Sequence, residues 1–258
     1  MIVHERYRVL DEFSEGGQGK LFIVFDEQEK THQILKRYKD RPGLLKYLQK
    51  QIGNCRKLNH PQVLVPHTLV QIDPVCTVAP FVKGMNLWDW AKKKRGLSFQ
   101  EAGVFLAQLA GILDYLHKIR VVHRDLKPSN ILIDQREILY LLDFDAACFQ
   151  NSKIHHRIAL TKSFRLMGTS QYMAPEHMRA SSPHQAMDLY STATTFYQIM
   201  TLRFPFGESL EDREDLKHFK PVNFLTKRQN NVLRKALSPD PKQRHSSTLE
   251  FYKEMYKV

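Results

Sequence analysis

Hydrophobic positions in the first 80 residues follow two different spacings. Short apolar runs rich in β-branched and aromatic residues, separated by turns, predict strands at 7–10, 21–25, 33–36, near 63–71 and near 75–79. Between them, 42–58 carries apolar residues on one side at helical spacing, and Asn59-His60-Pro61 ends that predicted helix. The pattern therefore predicts a small, mainly β lobe with one helix.

The rest of the chain is patterned for helices. A strongly amphipathic helix is predicted at 99–118, and further helices are predicted at 184–200, 225–237 and 246–256. The sequence contains no internal repeat, low-complexity segment or linker. We therefore expect a small β part followed directly by a larger helical part.

The composition is ordinary for a soluble globular protein, with 42% hydrophobic and 26% charged residues. No stretch approaches the roughly 20 apolar residues that span a bilayer, and MIVHERYRVL at the start has no secretory apolar core. The cysteines Cys55, Cys76 and Cys148 are widely spaced, so neither a disulfide framework nor a zinc-ligand pair is predicted. We expect a reduced, cytoplasmic setting, in the protein's own cell or in a host cell.

The net charge of +12 raises the question of an anionic partner. The basic residues are scattered, and only Lys92-Lys93-Lys94-Arg95 forms a tight run. This run precedes Gly96, where cations complement the dipole of a helix C-terminus, so a solvated helix end is favoured over an anion-binding patch. We expect no specific nucleic-acid binding. The sequence leaves open whether the basic surface binds another anionic partner. The acidic stretch 208–215 is interpreted as a solvated helix face rather than a docking site.

Three motifs in order along the chain carry the candidate chemistry: HRDLKPSN at 123–130, Asp143-Phe144-Asp145 and Ala174-Pro175-Glu176. Phosphoryl transfer requires a carboxylate beside the attacking hydroxyl, two metal ligands and a cation near the phosphates. Asp125 is the candidate carboxylate, and Lys127 is the candidate cation. Asn130 and Asp143 are the candidate metal ligands.

These motifs resemble those of eukaryotic-type (Hanks-type) protein kinases, and Lys127-Pro128 resembles the Ser/Thr branch. The resemblance implies an α+β, bilobal fold with a small, mainly antiparallel β lobe and a larger α-helical lobe. It implies one kinase domain over 1–258, with an N-lobe at 1–82, a C-lobe at 83–258, a hinge near Phe81–Gly84 and nucleotide in the cleft. The implied reaction is transfer of the ATP γ-phosphate to a Ser or Thr hydroxyl of a protein, including its own, with Mg²⁺ or Mn²⁺.

The resemblance also assigns the phosphate-binding residues of the N-lobe. Gly16 and Gly19 match the second and third glycines of a loop whose backbone N–H groups approach phosphates closely, while Ser14 replaces the first. Lys36 matches the catalytic strand lysine that reaches the α- and β-phosphates. Its usual glutamate partner is replaced by Gln51, which keeps an acceptor oxygen but lacks the charge. The sequence leaves open whether Gln51 positions Lys36 or is a neutral change.

Further residues are assigned to the adenosine by the same resemblance. The carbonyl of Pro80 is expected to accept from the adenine amine, and the N–H of Val82 is expected to donate to the ring. Asn86 stands where a polar side chain meets the ribose. Leu21 and Leu132 complete the predicted nucleotide contacts.

Three matches are expected to build the C-lobe around the catalytic loop. Thr169 would bridge the catalytic aspartate and lysine and help to form the substrate platform. Glu176 would pair with Arg244. Asp188 would brace the backbone of the catalytic loop from a buried helix.

Two positions bear on regulation and on the metal. Arg124, the arginine of the HRD motif, implies activation by phosphorylation, with Thr161 and Ser163 as the candidate acceptors. Asp145 replaces the glycine that usually follows Asp143-Phe144. Glycine permits backbone angles that most residues resist, and Asp tolerates left-handed geometry better than most. A second carboxylate here would either assist metal binding or repel phosphates, and a neutral outcome is favoured.

Two functions of different classes fit these residues. The first is an active Ser/Thr protein kinase, and the second is a pseudokinase that serves as a nucleotide-binding or nucleotide-free interaction module. All residues that perform chemistry are present, and the departures fall at the supporting positions Ser14, Gln51 and Asp145. The enzyme is therefore favoured.

Overall fold

The chain folds into two compact units, Met1–Lys83 and Gly84–Val258. The computed structural model describes residues 2–3, 5–16, 19–150, 168–207, 209 and 211–257. The division between the units falls one residue beyond the lobe boundary expected after Val82.

The first unit contains an antiparallel sheet and one helix. The sheet has six strands in the order β1-β2-β3-β4-β6-β5. The strands are β1 (Ile2–Val3), β2 (Tyr7–Gly16), β3 (Gly19–Asp26), β4 (Thr31–Tyr38), β5 (Thr68–Val70) and β6 (Cys76–Pro80). The helix is α1 (Leu44–Cys55).

Alternating burial explains why this sheet forms. Side chains that point to one face of neighbouring strands, among them Phe22, Val24 and Leu35, are buried in a common core. The predicted strand near 63–71 is wrong in its length, because the strand is only Thr68–Val70. Pro66 lacks a backbone N–H and cannot donate to a ladder bond, which accounts for the later start.

The second unit is mainly helical. Its helices are α2 (Leu87–Lys93), α3 (Phe99–Lys118), α4 (Pro175–Met178), α5 (Gln185–Thr201), α6 (Lys227–Ala236) and α7 (Thr248–Tyr256). Short strands form two small sheets: β7 (Gly84–Asn86) with β9 (Ile131–Asp134) and β10 (Leu139–Leu141), and β8 (Val121–Val122) with β11 (Cys148–Phe149).

Helix α3 has the bounds that the amphipathic pattern predicts, and its start is fixed by a capping box. The Ser98 hydroxyl accepts from the Glu101 N–H, and the Glu101 carboxylate accepts from the Ser98 N–H. The side chain of Lys94 also donates to Glu101, and these bonds lower the pKa of that carboxyl to about 2. The cap thus places the start of the helix that leads to the catalytic loop.

The basic run at 92–95 ends α2, as its position before Gly96 predicts. Lys92 pairs with Asp89 at 2.7 Å, so part of its charge is neutralised within the fold. In the acidic stretch, the described residues form a short 3-10 helix at Glu211–Glu214 rather than an α-helix. No helix in the described part of the chain is long and apolar enough for a bilayer crossing.

A buried carboxylate closes the turn after β3. Asp26 accepts from two guanidinium nitrogens of Arg6, at 2.8 and 2.7 Å, and from the N–H groups of Gln28 and Glu29. The hydrogen bonds from Arg6 are the main cause that lowers the pKa of Asp26 to about 2. The ionised form is therefore favoured by folding.

Replacing Asp26 with Asn should lower the unfolding free energy of the protein near neutral pH by about 1–2 kcal/mol, after allowance for the partly exposed Arg6. Because the folded pKa lies below the unfolded value of about 3.9, this stabilisation is complete above about pH 4 and is lost as the pH falls through about 2. Urea titrations from pH 7 to pH 2 measure it. The control Glu29→Gln, at an exposed carboxylate, should change little, and a parallel pH dependence of Asp26→Asn and the unmodified protein would contradict the assignment.

Candidate active site

In the first unit, the predicted phosphate-binding residues lie on β2, β3 and β4. Gly16 pairs with Gly19, and Leu21 lies opposite Lys36. A Cβ atom at Gly19 would clash with the carbonyl oxygen of Arg37, so the close approach of β3 to β4 requires glycine there. The described strands thus place Gly16 and Gly19 opposite each other at the end of the β2–β3 pair.

Lys36 and Gln51 lie on β4 and α1. The Lys36 ammonium is 5.1 Å from the centroid of the Tyr38 ring. Gln51 is buried at 1% exposure, and α1, with the sequence LLKYLQKQIGNC, contains no Asp or Glu. No residue of α1 can therefore offer Lys36 a carboxylate.

The residues predicted to contact adenine, Pro80 and Val82, lie at the end of β6 and just after it. Ala79 lies directly opposite Ile34, and Pro80 ends β6 opposite Gln33. Pro80 is exposed and Val82 is half-buried. The two backbone groups predicted to bind adenine, the Pro80 carbonyl and the Val82 N–H, therefore lie at the end of β6 and two residues beyond it.

The predicted ribose and base contacts of the second unit lie on neighbouring strands. Asn86 on β7 is paired with Leu132 on β9. The Asn86 amide is already used as the cap of α2, because it accepts from the Asp89 N–H at 2.9 Å and donates to the Asp89 carboxylate at 2.7 Å. A ribose contact would therefore use the second N–H of the amide nitrogen or the second acceptor site of the amide oxygen.

The catalytic loop is fixed by a buried carboxylate on α5. Asp188 is 0% exposed, and it accepts from the backbone N–H groups of His123 and Arg124 at 2.9 and 2.8 Å. The His117 ring, at the end of α3, contacts the same carboxylate at 2.8 Å. Burial acts to raise the pKa of Asp188, but the hydrogen bond from His117 and the neighbouring donors outweigh it and lower that pKa. Asp188 therefore lies where a brace of the loop is predicted.

The bond to Asp188 also supports an unfavourable backbone conformation. Arg124 has φ = 71°, in the left-handed region that non-glycine residues rarely adopt. The N–H of that residue is the group that Asp188 binds. The bond to Asp188 therefore holds the backbone at the residue that immediately precedes Asp125.

Asp125 is surrounded by three donors. Its Oδ1 accepts from the Thr169 hydroxyl at 2.8 Å, and its Oδ2 accepts from the Lys127 ammonium and the Asn130 amide, each at 3.0 Å. Lys127 also donates to Thr169 at 2.6 Å. Because Oδ2 has two partners and Oδ1 has one, the remaining acceptor site lies on Oδ1. An incoming hydroxyl would donate there.

His123 connects this loop to the segment that contains Asp143. Its Nδ1 accepts from the Asp125 N–H at 3.3 Å, so Nε2 carries the proton and donates to the Leu142 carbonyl at 2.9 Å. The His123 ring also meets the buried Phe144 ring edge to face, with centroids 4.8 Å apart. One imidazole thus contacts both Asp125 and the segment that contains Asp143.

The structure corrects the expectation of left-handed backbone at Asp145. The left-handed residue is Asp143, with φ = 57°, while Asp145 lies in a short 3-10 helix at Phe144–Ala146. The Asp143 side chain accepts from the Asp145 N–H at 3.4 Å, which helps to hold this turn. A right-handed turn imposes no special requirement for glycine, so aspartate fits at position 145.

The candidate metal ligands have the chemistry that Mg²⁺ prefers, oxygen donors from a carboxylate and an amide. The Asn130 amide nitrogen donates to Asp125 at its backbone and side chain, so the amide oxygen of Asn130 would be the ligand atom. Asp143 would contribute the carboxylate. Among the described residues there is no group of three or more His, Cys, Asp or Glu that could bind a metal ion.

The remaining predicted residues belong to two groups, a buried ion pair and the contacts around Arg124. Glu176 and Arg244 form a bidentate pair with both distances 2.7 Å. The Arg124 side chain is 2% exposed and donates to the Ala146 carbonyl and to His177 Nε2, each at 3.3 Å. The candidate phosphate acceptors Thr161 and Ser163 lie outside the described residues.

Two of the residues that position the loop were not predicted from the sequence. His117 belongs to the polar last turn of α3, where a histidine is typical of a solvated helix end. His123 stands in the HRD motif, but its contacts to Leu142 and Phe144 join segments about 20 residues apart. No local pattern signals either contact, because the partners are separated along the chain.

The fold and these side chains define a phosphotransferase site with a hydroxyl-directed carboxylate and oxygen ligands for a metal. The sequence profile described as the protein kinase domain matches residues 7–258. The chain belongs to the protein kinase family, and the bilobal α+β fold implied by the motifs is confirmed.

Relatives from distant organisms match most of this chain. It is similar to the serine/threonine-protein kinases PknD of Chlamydia felis, at 27% identity over 95% of this chain, and PrkC of Bacillus subtilis, at 25% identity over 94%. It is also similar to the serine/threonine-protein kinase tousled-like 1 of Caenorhabditis elegans, at 26% identity over 86%. The matches cover 30%, 39% and 25% of the length of these relatives.

Breaking the buried pair should destabilise the second unit strongly. Glu176→Ala leaves the Arg244 guanidinium, 6% exposed, without its carboxylate, so the unfolding free energy should fall by about 3–5 kcal/mol. Chemical denaturation followed by circular dichroism measures the change. The matched control Glu214→Ala removes an ion pair with Arg179 whose side chains are 51% and 55% exposed, and it should cost less than about 1 kcal/mol. Equal losses in the two variants would contradict the structural role of Glu176.

Proposed function

We propose that this protein is an ATP-dependent serine/threonine protein kinase that transfers the γ-phosphate to a protein hydroxyl and to its own. The observation that carries the proposal is the Asp125 carboxylate, held by Lys127, Thr169 and Asn130 with one acceptor site remaining on Oδ1. The relatives' names support a Ser/Thr kinase, and none of the three compared proteins is named as an inactive one. No observation favours the pseudokinase alternative.

The second unit would carry out the transfer step. The substrate hydroxyl would donate to Asp125 Oδ1, which orients the hydroxyl oxygen toward the γ-phosphorus. As the new O–P bond forms, the bond from the γ-phosphorus to the β–γ bridging oxygen breaks, the hydroxyl proton passes to Asp125, and ADP leaves. Lys127, 2.6 Å from Thr169, neutralises charge on the transferring phosphoryl group. Thr169 fixes the relative positions of this carboxylate and ammonium.

Each unit contains residues that we assign to the nucleotide or to its metal. Asn130 and Asp143 would hold Mg²⁺ or Mn²⁺, which when bound neutralises charge on the phosphates. The backbone at Gly16 and Gly19 and the Lys36 ammonium would bind phosphate oxygens. The contacts to the nucleoside would come from Leu21, the Pro80 carbonyl, the Val82 N–H, Asn86 and Leu132.

We further assign the two units to the N-lobe and C-lobe of one kinase domain. We place the domain in a reducing, cytoplasmic compartment, where its buried cysteines Cys55, Cys76 and Cys148 would stay reduced.

The activity itself is tested by autophosphorylation with γ-³²P-labelled ATP. Asp125→Asn removes the acceptor carboxylate and Asp143→Asn removes the charged metal ligand, and each should reduce incorporation by about 100-fold or more. Asp114→Asn, at a surface carboxylate paired with Lys118, is the matched control and should retain full incorporation. Equal labelling of all four proteins would end the kinase proposal.

A phosphorylated loop is the second expected outcome. Arg124 offers a guanidinium close to the segment after Asp143, so the active protein should carry phosphate on Thr161, Ser163 or a neighbouring hydroxyl. Tandem mass spectrometry of the purified protein locates the phosphate, and Asp125→Asn, prepared in the same way, should lack it. Full activity with an unmodified loop would show that Arg124 has no phosphate-dependent role.

A further inference from the structure

The buried ring of Tyr38 lies beside the Lys36 ammonium, and the reaction proposed above assigns it no role. Lys36 and Tyr38 are two residues apart on β4, so their side chains lie on the same face of the strand. The Lys36 ammonium is 5.1 Å from the centroid of the Tyr38 ring, within the distance at which an aromatic face attracts a cation. The ring is buried at 3% exposure, where such an attraction is stronger than at the surface.

The same ring contacts helix α1. Tyr38 forms one buried cluster with Leu44 and Leu48, two residues on the inner face of that helix. Its hydroxyl is 3.4 Å from Thr77 Oγ1 on β6, and Thr77 is the residue opposite Lys36 in the sheet. The orientation of the ring is therefore fixed from the helix side and from the sheet side.

We propose that Tyr38 is a positioning residue for Lys36 and that its ring couples the lysine to helix α1, which contains no carboxylate. The inference rests on the proposed function, because it assigns Lys36 to the phosphates. A glutamate would hold the lysine by charge, whereas Tyr38 holds it by the negative face of its ring while Leu44 and Leu48 hold the ring. Because the Tyr38 ring contacts both Lys36 and α1, β4 and α1 stay connected although Gln51 carries no charge.

The test compares Tyr38→Phe with Tyr38→Leu. Phe keeps the aromatic face, whereas Leu keeps apolar bulk against α1 and removes that face. Binding of trinitrophenyl-ATP without metal is followed by fluorescence. Tyr38→Leu should raise the dissociation constant about two- to thirty-fold, and Tyr38→Phe should stay within about twofold of the unmodified protein.

A double-mutant cycle separates positioning from a general structural effect. In a Lys36→Met background, Tyr38→Leu should cause no further loss of nucleotide affinity, because the cation it positions is absent. Thermal unfolding of every variant confirms that it is folded. If Tyr38→Leu does not fold, Tyr38→Met, a flexible apolar replacement, takes its place.

A nucleotide-free measurement tests the contact independently of the proposed function. In protein labelled with ¹³C-lysine, the Lys36 ε-methylene protons should be shifted upfield by the Tyr38 ring, and the shift should disappear in Tyr38→Leu but not in Tyr38→Phe. Equal nucleotide affinities of the Leu and Phe variants, additive losses in the cycle, or an unshifted Lys36 signal would each overturn the inference. If the unmodified protein shows the shift but binds no nucleotide, the proposed function fails and the positioning role fails with it.

Discussion

The buried carboxylate of Asp188 is the constraint on which the active-site loop depends. Its two oxygens bind successive backbone N–H groups at His123 and Arg124, and the His117 ring contacts it from α3. An ionised carboxylate without these donors would be costly at full burial, and Arg124 would have no compensation for its left-handed backbone. The carboxylate and the loop therefore stabilise each other, and the orientation of Asp125 follows from that pairing.

From this anchor, polar contacts extend to the other elements of the site. His123 binds the Leu142 carbonyl and packs on Phe144, which sets the segment that carries Asp143. Thr169 binds Asp125 and Lys127 from a segment more than 40 residues further along the chain. Each bond pairs a donor and an acceptor that would otherwise be left unsatisfied at partly or fully buried positions, which favours this one arrangement of the site.

The positions at which this chain departs from its family are accommodated locally. Aspartate at 145 lies in a right-handed 3-10 turn, so the usual need for glycine does not arise here. The uncharged Gln51 is buried on α1, where an unpaired carboxylate would be costly. The Tyr38 ring, between Lys36 and the apolar face of the same helix, offers an attraction that does not require a second charge.

The sequence by itself determined the family, the order of the chemical residues and most of the elements. Apolar spacing located α3 to its first and last residue, because one apolar stripe and a capping box are local signals. The same spacing predicted a helix over 42–58, which is too long at both ends, because α1 is Leu44–Cys55 and Pro42 and Gly43 precede it. Local signals of this kind need no knowledge of distant partners.

Only the tertiary structure decided which residues share a contact. No short pattern encodes three of these findings: His117 binds Asp188, the left-handed residue is Asp143 rather than Asp145, and Lys36 meets the Tyr38 ring. The partners His117 and Asp188 are 71 positions apart, and a hydrogen bond depends on distances of a few tenths of an ångström. Such distances are set by how whole helices and strands pack, so they follow from the sequence only through the complete fold.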